Sequence, residues 1–280
     1  MIDVIICAYN AHKYLSKALD SIAIQSILQK LKITIINDGS DYDYSKICAK
    51  HSFNIEEIKL KKNHGLGYAR KIGFKKTKGK YFIFLDCDDT FYDNKSLENL
   101  YNYIEEKPQV SFIAGKILID NKQQHCLTFM HGKLYRRDFI KKNKITFLNL
   151  YTYEDLAFNL AVIFAKGNYK LSNDITYIYN QNIKNSITQT NNDKIKVLKS
   201  FIKAYNYALK KAKDINIVKN ITKDICEDLF TIYTENINLF INEYEKVSYL
   251  KICKKFFKRY KKYIITTSNI TKFKNILKEY

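Results

Sequence analysis

Phe82-Ile83-Phe84-Leu85-Asp86-Cys87-Asp88-Asp89 is the stretch on which the fold turns. Four apolar or aromatic side chains run into three carboxylates within four positions. An apolar run of this length, preceded by Gly79-Lys80-Tyr81, predicts a buried strand. Asp is a poor strand residue, so the strand is expected to end at Asp86. Its carboxyl end then carries clustered negative charge, which repels itself and calls for a cation. Oxygen donors favour a hard ion, Mg2+ or Mn2+, and such an ion commonly holds a substrate phosphate. The carboxyl edge of an open α/β sheet is also where ligands bind. The stretch therefore points to an enzyme acting on a metal-bound diphosphate.

Upstream, residues 3–8 predict a first buried strand with a polar turn at Tyr9-Asn10. Leu15, Ala18, Leu19, Ile22 and Ala23 are spaced for an amphipathic helix over 12–25. A second strand is expected at 32–36, ending in Asn37-Asp38-Gly39-Ser40, and a third over Ile55 to Leu60. Helical pattern falls near 43–51, and again over 68–77 after the loop Asn63-His64-Gly65-Leu66-Gly67. This alternation argues for a mostly parallel sheet flanked by helices, with right-handed crossovers. Beyond Asp89 the alternation stops. A helix is expected at 95–106, a strand at 110–119, mixed structure at 125–140 and a helix from Tyr153 to about 165. Tyr177-Ile178-Tyr179 reads as a short aromatic strand.

From 191 onward strand signals vanish and a basic, helical C-terminal region is expected. Residues 191–280 carry 20 basic and nine acidic side chains, and seven basic residues with no acid fall in 250–262. The expected division is a domain over 1–190, with halves 1–93 and 94–190, followed by the region 191–280.

The chain has 280 residues, 46% of them hydrophobic, enough for one large or two small cores. No run approaches the roughly 18 apolar residues of a membrane helix, and no basic leader precedes an apolar segment. The six cysteines are scattered, with no CxxC pair and no zinc spacing, which fits reduced thiols in the cytoplasm. The net charge of +20 favours polyanions: nucleic acid, an anionic membrane face, or nucleotide-linked substrates. A lysine bias from AT-rich coding sequence accounts for the same count, and both explanations stand.

The strand tips at Tyr9-Asn10, Asn37-Asp38-Gly39-Ser40 and Asp86-Cys87-Asp88-Asp89 are joined by four further segments. These are Asn63 to Arg70, Gly79-Lys80-Tyr81, Lys133-Leu134-Tyr135-Arg136-Arg137 and Tyr153-Glu154-Asp155-Leu156. In this order they resemble the family 2 glycosyltransferases, which have the Rossmann-like GT-A fold, over roughly residues 2–190. Cys7 stands where that family usually has proline, Lys71 where an Asn commonly follows the Arg, and Met130-His131-Gly132 where an aromatic residue often stands.

The resemblance implies a nucleotide-sugar site with a UDP-sugar as the favoured donor. Ala8, Tyr9 and Asn10 would line it, with Tyr9 as a wall for the base. Asp38 would accept from the uracil N3–H, Gly67 would lie against the nucleotide, and Arg70 would hold the nucleotide or the acidic cluster. Asp86 would face ribose or metal, Cys87 would sit inside the block, and Asp88 would ligate Mn2+ or Mg2+ on the diphosphate, with Asp86 as its companion ligand. Asp155 would be the general base of a single displacement with inversion, and Glu154 the fallback. His131 and Lys133 would reach the acceptor. Each has a plainer reading: Asp38 before glycine forms turns, and Thr152-x-x-Asp155 is close to a capping box.

Three functions are compatible with these residues. The first is transfer to a cell-surface glycan, with the basic C-terminal helices docked on the inner face of an anionic membrane. The second is a phage-type enzyme glucosylating hydroxymethylated bases of duplex DNA in a host cytoplasm. The third is a binding protein on a catalytically dead fold, opposed by the presence of Asp38, Asp86, Asp88 and Asp155.

Overall fold

A computed structural model describes residues 1–180 and 193–214, with scattered positions between 216 and 258. Strands β1 (Ile2–Ala8), β2 (Leu31–Asn37), β3 (Ile55–Lys59) and β4 (Tyr81–Asp86) alternate with helices α1 (Leu15–Ala23), α2 (Ser45–Cys48) and α3 (Leu66–Lys76). They pair in the order β3-β2-β1-β4, all parallel. Every residue of β1 is buried. Ile2, Val4, Ile6 and Ala8 face one core and Ile5 and Cys7 the other, because the side-chain period of a strand is two. Burying each Ile or Val fully stabilises the fold by roughly 1.5–3 kcal/mol, so the strand is pinned from both faces.

The remainder runs β5 (Thr90–Phe91), α4 (Ser96–Glu106), β6 (Phe112–Ile119), β7 (Lys122–Gln124), β8 (Lys133–Arg136), α5 (Arg137–Lys142), α6 (Glu154–Phe164), β9 (Tyr169–Tyr179) and α7 (Lys194–Leu209). The sheet continues β4-β8-β6-β9-β5, with β7 paired to β6. Here only β6 and β9 run parallel; the pairs β4–β8, β6–β8, β6–β7 and β5–β9 are antiparallel. The parallel architecture expected from the alternation is thus the first half of the sheet, and the second half is mixed.

A buried ion pair ties the halves together. Asp3, inside β1, accepts from Nη2 of Arg137 at 2.7 Å and from the Gly79 amide at 2.6 Å. The same guanidinium donates to the carbonyls of Gly79 and Phe74 and to the Thr77 hydroxyl. A charge inside a strand is tolerable only when paired and hydrogen-bonded in this way.

Helix α6 is buried all round except at Asp155, the pattern of a core helix rather than a surface one. α7 covers it. Leu198, Phe201, Ala204, Tyr205 and Ala208 of α7 are buried, and all but Leu198 belong to the same core as α6. The Tyr207 hydroxyl accepts from the Thr146 amide at 2.7 Å, and Lys211 Nζ donates to the Lys144 carbonyl at 2.7 Å. α7, which lies in the region expected as C-terminal and helical, completes the core that holds α6. Most of the basic stretch beyond it lies outside the described residues.

Candidate active site at the carboxyl edge of the sheet

β1, β2 and β4 end side by side, with Cys7 level with Asp86 and Ala8 level with Asn37. The polar turn after each strand therefore opens on one edge. Asp86 closes β4. Arg70, from the second turn of α3, reaches it with Nη2 at 2.9 and 3.2 Å. Nη1 of the same guanidinium donates to Glu154, the first residue of α6, at 2.7 Å. Arg70 is 2% exposed. Burial works against its charge, but Asp86 and Glu154 overcome that and raise its pKa. Burial likewise works to raise Asp86, yet Arg70 and His131 hold it well below the usual carboxylate range. Glu154 is pushed up to about 7, by burial and by Asp155, against the pull of Arg70.

His131 Nε2 lies 2.9 Å from Asp86 Oδ2 and 3.9 Å from Asp89 Oδ2. Its ring stacks on Tyr177, centroids 5.1 Å apart. Asp89 is nearly wholly buried; it accepts from the Tyr177 hydroxyl and from the Asn180 amide, both at 2.8 Å. Tyr177 also accepts from the Asp86 amide at 3.1 Å, and Asn180 Nδ2 donates to the Asp88 carbonyl at 2.6 Å. β9 thus clamps the carboxylate block. Burial and the Asp86 charge push Asp89 up to about 8 and Asp88 up to about 6. One ligand atom each from Asp86, Asp89 and His131 lie within 4.8 Å of one another. Two carboxylates and an imidazole suit Mn2+ better than Mg2+, which prefers oxygen donors alone. The residues fit such an ion on a second ground: the carboxylates resist ionising together, a penalty a cation removes. Asp88, expected as a metal ligand, is not in this trio.

Other expected residues take defined places. Asp38 accepts from the backbone amides of His64 and Gly65 at 3.0 and 2.8 Å, so both its oxygens hold the glycine loop. Gly39 after it has φ +75, and a Cβ there would collide with the Lys62 backbone. The Ala8 carbonyl accepts from the Asp38 amide at 2.9 Å. Asn10 is left-handed (φ 49), and its amide donates to Ser40 Oγ at 3.0 Å. Tyr9 is 51% exposed, with its ring on the open edge. Gly67 is packed so closely under the loop before α6 that a Cβ would strike the Leu148 carbonyl. Burial pushes the Cys87 thiol well up, so it stays protonated.

Asp155 is the second residue of α6 and the one residue of that helix that is only half-buried. The plainer capping-box reading does not hold: the N-cap is Tyr153, left-handed at φ 67, with no side-chain cap. The Asp155 carboxylate instead accepts from the Leu156 amide at 2.7 Å. Lys133 departs from its expected acceptor role. It is wholly buried, and its ammonium donates to the Cys126 and Phe129 carbonyls, which organise the loop before β8. Burial lowers it to about 8. His131, also expected at the acceptor, sits on the carboxylate block. Asp89, Tyr177 and Asn180 were not expected as site residues; the Asp88-Asp89 doublet was the available signal.

A family model, glycosyl transferase family 2, matches residues 3–161. An uncharacterized glycosyltransferase of Rickettsia prowazekii, RP339, is 31% identical over 140 residues, 49% of this chain and 43% of that protein. The poly(ribitol-phosphate) beta-N-acetylglucosaminyltransferase TarP of Staphylococcus aureus is 27% identical over 203 residues, 63% of this chain and 61% of that one. The chain thus spans less than two thirds of either relative. The crystal structure of S. aureus TarS 1–349 with UDP-GlcNAc superposes with a TM-score of 0.76 at 18% identity, covering 90% of this chain and 79% of TarS 1–349. That likeness gives the fold, which is the GT-A architecture. The family match runs from β1 into α6 and so contains Asp38, Arg70, the carboxylate block and Glu154-Asp155: the chain belongs to glycosyl transferase family 2.

Proposed function

We propose that the chain transfers a sugar from a nucleotide-sugar, with UDP as the favoured nucleotide, to a hydroxyl of a cell-surface glycan, with inversion. The observation that carries this reading is the Arg70 bridge. One buried guanidinium brings the tip of β4 and the start of α6 together, and with them a donor-side carboxylate block and a second acidic pair.

The open ring of Tyr9 offers a wall for the base. The turn held by Asp38 and the glycine loop form the floor beneath it. Asp86, Asp89 and His131 would hold Mn2+ or Mg2+, with Asp88 beside them. Such an ion supplies charge neutralisation to the departing nucleoside diphosphate. Asp155 projects from the start of α6 and takes the proton of the acceptor hydroxyl as it attacks the anomeric carbon. The names of TarP and of the teichoic acid poly(glycerol phosphate) polymerase among the relatives favour a phosphate-bearing surface glycan as acceptor. An acceptor of that kind, with a net charge of +20, suits a protein working in the cytoplasm at an anionic membrane face.

The test is turnover of UDP-, GDP- and CMP-sugars by the purified chain with Mn2+, followed as release of free nucleotide. One UDP-sugar is expected to turn over and Asp88→Ala to abolish it. A product with retained anomeric configuration would overturn the single displacement. Duplex-DNA binding with a steep salt slope, and no binding to anionic vesicles, would move the acceptor to DNA.

A further inference from the structure

We infer that Glu154 is a positioning residue, locked by Arg70, that aims the neighbouring Asp155. The inference rests on the reading of the site as a sugar-transfer centre. Two adjacent acids begin α6, and only one has a free aspect. Glu154 is buried, and its Oε1 is taken by Arg70 Nη1 at 2.7 Å. Its stem is confined as well: a Cβ on Gly67 would stand 3.1 Å from Glu154 Cβ. Asp155 is half-buried, accepts from the Leu156 amide through Oδ1, and has no Arg or Lys partner among the described ion pairs.

A base must come within about 2.6–3.2 Å of the proton it removes. A buried carboxylate already held by a guanidinium does not meet that demand. Successive helical residues point about 100° apart, so anchoring Glu154 pins the backbone at the head of α6 and with it the direction in which Asp155 leaves the helix. The left-handed Tyr153 sets the backbone just before both. Because the same guanidinium also grips Asp86, the aim of Asp155 is referred to the donor side of the cleft rather than to α6 alone.

The test uses Glu154→Gln, Glu154→Ala and Asp155→Asn in the full chain, with UDP-GlcNAc and the other UDP-sugars as probes. Gln keeps an oxygen that accepts from Arg70. Glu154→Gln is expected to keep kcat within about threefold, and Glu154→Ala to lower it about 30- to 100-fold with donor KM unchanged. Asp155→Asn is expected to lose more than either. Glu154→Gln as inactive as Glu154→Ala would overturn the inference, because Glu154 would then be serving as the base. A second readout does not depend on activity. Hydrogen exchange of the amides at 154–158 is expected to quicken about tenfold in Glu154→Ala and not in Glu154→Gln. Unchanged exchange in Glu154→Ala would overturn the positioning role. A wild-type chain that turns over no nucleotide-sugar would instead break the functional reading, and exchange alone would then decide the placement.

Discussion

In the parallel half of the sheet the polar groups of the site, Arg70 of α3 apart, stand at strand ends: Asn10 after β1, Asp38 after β2, Asp86 at the tip of β4. In the mixed half the groups come from a loop, a strand interior and a helix start: His131 before β8, Tyr177 within β9, Glu154 at the head of α6. Each reaches Asp86 or its clamp across a long chain separation: 45 residues for His131, 91 for Tyr177, and 84 between Glu154 and Arg70. The first half thus shapes its edge by local order. The second half delivers its groups through buried, long-range polar contacts. A substitution at the contact between them should therefore cost more than one at a strand tip.

Arg70 is the severest case. Arg70→Leu strands Asp86 and Glu154 without their partner, and a loss of about 3–5 kcal/mol in urea unfolding is expected. An unchanged midpoint would mean the halves do not depend on the bridge. Phe201→Ala removes a ring that α7 packs edge-on against Tyr153 at 5.4 Å. A loss of about 3 kcal/mol is expected, in a single transition that takes both halves together. Two separate transitions would mean that α7 is not part of the core that holds α6. Tyr177→Phe keeps the ring on His131 and deletes the hydroxyl between Asp86 and Asp89. A cost of about 1–2 kcal/mol is expected by the same unfolding assay, and no cost would remove β9 from the clamp. Tyr9→Ala, on the open edge of the parallel half, should change stability by less than about 0.5 kcal/mol. Calorimetry should nevertheless show UDP affinity falling about five- to tenfold; an unaltered affinity would take the base wall away from Tyr9.

The same contrast explains what could be read in the sequence. β4 is a continuous apolar run up to Asp86, β1 is apolar but for Asp3 and β2 but for Lys32 and Thr34, and their tips are marked by Asn, Asp and Gly. The residues that decide the structure there are neighbours in the chain. β8 was hidden inside a stretch of mixed character because Lys133 and Arg136 bracket it with charge, although Lys133 is buried with its ammonium caged by carbonyls. β5 has two residues, too few for any period. β9 is irregular against β6 around Ala114–Ile117, which breaks the alternation that would announce a long strand. His131 showed no pattern because its partners, Asp86 and Tyr177, lie far away in the chain. Asp38 was legible as a turn former, but not as the acceptor that holds two amides of the glycine loop.

The Asp3–Arg137 pair sets an order in time. Asp3 is made well before its counter-ion, which lies 134 positions later in the chain. At the usual 5–20 residues per second, a ribosome needs on the order of ten seconds to pass from one to the other. For that interval β1 has a carboxylate and no guanidinium with which to bury it, so the nascent parallel half has reason to stay loose until α5 emerges. The parallel half is made before α5 but finished only after it, and a chain stopped at 93 should be open to protease where the full chain is closed.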